Sequence, residues 1–162
     1  MKSNMEKGFS LLELLVVTAL IAVMLAVSVP LLVQQMPKWH MNGTARDVKA
    51  KLMMARLRAI QENKTYGVSF TLGAIDSYRV VMWNGASWVN VGVVAEGSSD
   101  IDIVPADCVG TRIEFSANSA ADGENGCNPA SELLAVKVKT TAGGFDERNI
   151  YMDTYTGNMK IE

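Results

Sequence analysis

After a short stretch of mixed polarity, Met1 to Glu13, the chain runs without a charged residue from Leu14 to Pro37. A helix needs about 20 predominantly apolar residues to cross a bilayer, so this run predicts a membrane helix rather than the buried core helix of a small domain. Past Pro37 the pattern becomes periodic. Met41, Ala45, Val48, Leu52, Ala55 and Ala59 recur at spacings of four and three, which places them on one helical stripe. Met53, Leu57 and Ile60 are expected to widen that stripe, leaving Arg46, Asp47, Lys51, Arg58 and Glu62 on the opposite face. One helix from Phe9 to Asn63, with asparagine an acceptable stop, would measure about 80 Å at 1.5 Å per residue.

From Thr65 onward the period falls to two. Thr65 to Leu72, Ser77 to Trp83, Trp88 to Val94, Asp100 to Val104, Thr111 to Ser116, Leu133 to Thr140, Asn149 to Asp153 and Asn158 to Ile161 read as strands bounded by turn residues. Asn84-Gly85 is a hairpin signal. Ile101/Ile103, Ile113/Phe115 and Val136/Val138 alternate with charged residues as half-buried strands do. The small, polar stretch from Ala117 to Pro129 reads as a surface loop. The predicted fold class is therefore α+β, a long N-terminal helix, first transmembrane and then amphipathic, packed against a C-terminal antiparallel β-sheet head.

Length allows one domain plus an anchor, since 162 residues is close to the roughly 100–150 of a single core. The apolar fraction of 49% against 20% charged is concentrated near the N-terminus. Net charge is −2, but its distribution is polar: Lys38 to Lys64 holds seven basic and two acidic residues, whereas Thr65 to Glu162 holds six basic and thirteen acidic. A basic stalk under an acidic head would orient a subunit or face anionic lipid; the plainer account is a solvated helix face. The two cysteines, Cys108 and Cys127, permit one intramolecular pairing. An exported head would favour a disulfide over two thiols, worth about 3 kcal/mol for a loop of roughly 20 residues.

Lys2 and Lys7 favour a cytoplasmic N-terminus, and two export signals compete above them. An ordinary secretory signal would use Leu14 to Val27 as its apolar region and Ala26-Val27-Ser28 as its cleavage site, leaving a soluble protein. Glu13 argues against it. A carboxylate at the head of the apolar run costs about 2.5–3.5 kcal/mol at the centre of a bilayer and is by default functional, in need of a partner.

Lys7-Gly8-Phe9-Ser10-Leu11-Leu12-Glu13-Leu14-Leu15-Val16-Val17 resembles the class III signal of type IV prepilins and type II secretion pseudopilins. That resemblance implies a leader of residues 1–8, cleaved by the prepilin peptidase between Gly8 and Phe9, with N-methylation of Phe9. It implies that Glu13 pairs with the α-amino group of a neighbouring subunit's first residue during assembly, so that one carboxylate costs energy alone and rewards association. Pro30 falls where such proteins place a helix-weakening proline, which removes a backbone donor, and Pro37 could do likewise. Residues 9–37 would be the transmembrane half of the helix, 38–63 the stalk and 64–162 the β-rich head.

The resemblance continues more weakly through Ala55-Arg56-Leu57-Arg58-Ala59-Ile60, Arg112-Ile113-Glu114-Phe115 and Arg148-Asn149-Ile150-Tyr151 to Gly157, which are similar to GspH/FimT-type minor pilins. It implies a single-pass protein of the bacterial inner membrane with its head exported, partnered by other pilin or pseudopilin subunits at or near a filament tip. A DNA-binding minor pilin and a secreted soluble β-protein are the rival functions. Phosphate binding needs clustered Lys or Arg, and Asn158-Met159-Lys160-Ile161-Glu162 offers one cation beside an acid, which argues against DNA.

Little else is available for chemistry. His40 is the sole histidine, which excludes His-paired metal motifs and leaves any nucleophile one imidazole partner; an enzyme is not expected. Beside Trp39 it reads as an interfacial helix residue. Asp122, Glu124 and Asn125 are oxygen ligands for calcium by type, but EF-hand spacing is absent. No metal or cofactor site is expected.

Overall fold

The computed structural model describes residues 10–105, 111–118, 121–123, 132–141, 147–153, 156 and 158–162, with the backbone alone for 121–123 and 132–135. The chain divides into two compact units, Met1–Met36 and Pro37–Glu162. Helix α1, Leu11–Glu62, is helical through both Pro30 and Pro37. It starts on Ser10, whose Oγ accepts from the Leu12 N–H at 3.3 Å and whose carbonyl accepts from Leu14, the geometry of an N-cap. It stops where Asn63 turns left-handed, with φ of 52°. The Lys64 N–H then bonds the Ala59 carbonyl at 3.3 Å, the six-to-one bond of a Schellman cap.

Strands β1 (Tyr66–Thr71), β2 (Ser77–Trp83), β3 (Trp88–Glu96), β4 (Ile101–Pro105), β5 (Arg112–Phe115), β6 (Ala121–Gly123), β7 (Glu132–Thr140), β8 (Glu147–Asp153) and β9 (Met159–Ile161) follow. They form two antiparallel sheets, β3-β2-β1-β5-β6 and β4-β7-β8-β9. Every segment expected to be a strand is one, with ends shifted by a residue or two. β6 is the exception: it pairs with β5 inside the stretch read as a loop, three residues being too few to show a period.

One core joins the helix to both sheets. Met41, Ala45, Val48, Leu52, Ala55 and Ala59 bury one helical stripe against Tyr66, Val68, Phe70, Ile113 and Phe115 of the first sheet and Ile103, Val136, Val138, Ile150 and Met152 of the second. Two of the helical residues are the alanines at its upper end, which lets strands approach the backbone closely. The stripe is narrower than expected. Met53, Leu57 and Ile60 are exposed, Leu57 at 54%, because the sheets cover only the side centred on Val48 and Leu52.

Gly67 sets how close β1 and β5 can come. A Cβ there would lie 2.6 Å from the Ile113 carbonyl oxygen, inside any tolerable contact, so only glycine fits at this register. In the β2–β3 connection Asn84 Oδ1 accepts from the N–H groups of Ala86 and Ser87 at 2.9 and 2.8 Å, and Gly85 takes a φ of 96°. The Asn-Gly hairpin signal works here through an Asx turn.

Candidate functional site

The N-terminal unit presents one chemical feature. From Leu11 to Met36 its large apolar side chains are exposed, and the helix is long and apolar enough to cross a membrane. Within the apolar span Thr18 Oγ1 donates to the Leu15 carbonyl and Ser28 Oγ to that of Met24, both at 2.9 Å. This is what hydrocarbon requires, since no water is there to take them. Glu13 is the one acid in the first turn of α1. With Ser10 as N-cap it stands at the third helical position, the serine-to-glutamate spacing of a capping box, and its charge complements the helix dipole. Ser10 was not singled out by its sequence, although Ser-x-x-Glu ahead of an apolar run is the signal that would have found it. Gly8 and Phe9 lie outside the described residues.

Among the described residues of the second unit, several polar contacts tie the helix to the head. His40 Nδ1 lies 3.0 Å from Asp100 Oδ2 just before β4. Arg148 Nε donates to Asn42 Oδ1 at 2.9 Å. Tyr78 Oη donates to Asp47 Oδ2 and Tyr66 Oη to Glu62 Oε2, each at 2.7 Å. Arg56 Nη2 donates to the Thr156 carbonyl oxygen. His40 is thus a strut between helix and head beyond its expected role as an interfacial residue, and Asp47 and Glu62, expected on the face away from the head, reach back to it through tyrosines.

These contacts shift ionisation. Burial, then the hydrogen bond to Asp47, pushes the Tyr78 hydroxyl far above its usual range, and burial with Glu62 raises that of Tyr66. For Asp100, burial pushes the carboxyl up, but hydrogen bonds from Ser98 and His40 together outweigh it and leave the group below its ordinary value. Lys137, 3.2 Å away, lowers Glu147 with help from Asn149.

Asp76 is a buried polar residue for which the sequence pattern raises no expectation. Its Oδ1 accepts from Gly73 N–H at 2.9 Å and its Oδ2 from Ile103 N–H at 2.7 Å, while its carbonyl accepts from Gly97. The first contact is a local turn that an aspartate there suggests; the second, which ties the two sheets together, has no sequence signal.

Among the described residues no three His, Cys, Asp or Glu side chains gather to hold a metal. Asp122 lies in β6; Glu124, Asn125, Cys108 and Cys127 are outside the described residues. At the C-terminus Lys160 pairs with Glu162 at 3.0 Å and stands over the Tyr151 ring, so the cation closest to the chain end is already engaged by an acid.

The prokaryotic N-terminal methylation motif matches residues 3–29, a span that takes in Gly8, Phe9 and Glu13. No curated protein matches the chain. Among solved structures it is similar to the type IV minor pilin FimU of Pseudomonas aeruginosa strain PAO1, with a TM-score of 0.57 at 14% identity, covering 75% of this chain and 91% of that one. At that identity the likeness is one of fold: a long N-terminal helix against antiparallel sheets.

Proposed function

We propose that this chain, type IV pilin-like in its signal and in its fold, is a minor pilin that enters a filament through its N-terminal helix at or near the tip. The observation that carries the reading is the methylation motif on residues 3–29 running directly into a helix whose next turns, from Met41 to Ala59, hold the core of the head. An ordinary cleavable signal would be discarded, and nothing would join it to the folded domain; here the apolar segment and the head share one helix.

In this reading the prepilin peptidase cuts between Gly8 and Phe9, Phe9 is N-methylated, and the apolar helix holds the protein in the inner membrane with its head exported. Glu13 pairs with the α-amino group of the adjacent subunit. A type IV pilus is favoured over a type II secretion pseudopilus by the likeness to FimU. The reading is structural and involves no catalysis. DNA uptake is disfavoured by the thirteen acidic against six basic residues from Thr65 to Glu162, which would repel phosphates.

The test is the N-terminal mass of the mature protein. A chain beginning with N-methylated Phe9 is expected; one beginning at Val29 would replace this reading with that of a secreted soluble protein. A Cys108–Cys127 disulfide belongs to the same reading, because the head would fold in an oxidising compartment. Alkylation of the unreduced native protein should leave both cysteines unmodified.

A further inference from the structure

The β2–β3 hairpin carries a site that neither the signal nor the anchor explains. Trp83 and Trp88 oppose each other across the hairpin, their ring centroids 5.6 Å apart and the planes inclined at 53°. The Arg112 guanidinium lies 4.4 Å from the Trp88 ring centroid, and its Nε is 2.9 Å from Glu114 Oε1, so Trp88 is held in place by a side chain of β5, two strands beyond its partner β2 in the same sheet. Trp83 is not covered in this way and remains 38% exposed.

Two adjoining hollows meet on Trp83. One, of about 430 Å³, is lined by Lys64, Thr65 and Asn84 among others; the second, of about 340 Å³, by Thr65, Trp88 and Glu114. Both are open at the surface, so a guest would lie along Trp83 rather than be enclosed. A cross-strand indole pair by itself stabilises a hairpin. That role does not require a hollow along the exposed indole with Lys64, Thr65 and Glu114 in its lining.

The lining selects the ligand. A purely apolar guest would cover Trp83 but strip water from Lys64 and Glu114 without replacing it. An anion would gain only Lys64, because Arg112 is already paired with Glu114, and it would approach a head carrying thirteen acids against six bases. Arg112 already neutralises Glu114 and Lys64 is one exposed cation, so the guest that best matches the lining is a neutral one with a flat face of C–H groups for the indole and hydroxyls at its edge for the polar side chains. β-linked pyranosides in the gluco configuration have this shape, because their substituents are equatorial and their axial hydrogens form a flat apolar face.

We propose that the Trp83–Trp88 cleft is a saccharide-binding site for neutral β-linked hexopyranose chains. The proposal does not depend on the filament reading, since it concerns only groups of the Pro37–Glu162 unit. The test uses the full mature chain in a polyoxyethylene detergent, which contains no sugar, with Trp39→Phe so that emission reports Trp83 and Trp88 alone. Chitotetraose and cellotetraose are titrated, with maltotetraose, whose α-linkages curve the chain away from a flat platform, as comparison.

A saturable emission change with one of the β-linked tetramers, at least about fivefold tighter than with maltotetraose, is expected, as is an affinity loss of about tenfold or more in Trp83→Ala, since a lost aromatic platform removes both area and ring contact. Lys64→Ala, at an exposed position, should weaken binding severalfold and serves as the variant if Trp83→Ala does not keep the parent's circular dichroism. No saturable change with either β-linked tetramer, or an affinity unaltered in the folded variant, would overturn the proposal. Displacement of the sugar signal by an apolar peptide rather than by free saccharide would assign the cleft to a protein partner and overturn it equally.

Discussion

Asp76 accepts from two N–H groups, that of Gly73 in the β1–β2 connection and that of Ile103 in β4 of the other sheet, while only 3% exposed. Removing the carboxylate leaves the buried Ile103 N–H without an acceptor, at a cost of roughly 1–3 kcal/mol, and loses the Gly73 turn bond, worth about 1 kcal/mol. Asp76→Ala should therefore destabilise the head by about 2–4 kcal/mol, seen as a lower urea midpoint. Asp76→Asn, which keeps one carbonyl acceptor, should lose visibly less. Asp100 acts at the same scale through its charge. Its carboxyl lies below its ordinary value when folded, so its contribution is fully present above the unfolded value and is lost as pH falls through the folded one. A pH series of thermal midpoints should show Asp100→Asn less stable than the parent at neutral pH and the two converging in acid. A constant gap down to low pH would mean that His40 and Ser98 contribute to packing and not to this ionisation.

At the scale of the element, α1 carries two apolar stripes past Pro37 and only one is buried. Leu52 is inside the core, whereas Leu57, five residues on, faces outward. Leu52→Ala should lower head stability by about 2–5 kcal/mol, the usual range for a leucine deletion in a core. Leu57→Ala should change it by less than about 0.5 kcal/mol. Both are read from urea unfolding by circular dichroism, and equal losses would mean that the sheets cover a wider face than the Met41-to-Ala59 stripe. The helix ends are more local. Ser10 and Asn63 cap it with side-chain and left-handed geometry that depend on a few neighbouring residues.

At the scale of the whole molecule, the proposed assembly would change the energetic sense of Glu13. In an isolated subunit it is a carboxylate at the head of an apolar helix, offset in part by the helix dipole. Glu13→Ala should leave processing intact and ease membrane insertion, by up to about 2.5–3.5 kcal/mol if the group reaches the bilayer centre and less near its edge. It should also impair incorporation into filaments, measured as the ratio of sheared-filament protein to processed membrane protein at matched expression. Normal incorporation would reduce Glu13 to a helix-capping and processing signal, a role its position after Ser10 can fill unaided.

What the sequence by itself determined is everything that depends on neighbours along the chain. The uncharged run from Leu14 to Pro37, the stripe from Met41 to Ala59, eight strands with the hairpin at Asn84-Gly85, and the stop at Asn63 are patterns of period, charge or turn chemistry within a few residues. The tertiary structure decided what depends on residues far apart. It chose which side of the stalk the sheets cover, and so left Met53, Leu57 and Ile60 outside; it brought Asp100 to His40 and Arg148 to Asn42; and it set Arg112 over Trp88 beside an open indole. Such pairings carry no local signature, because their energy is that of burying and joining groups that the chain's own period does not bring together.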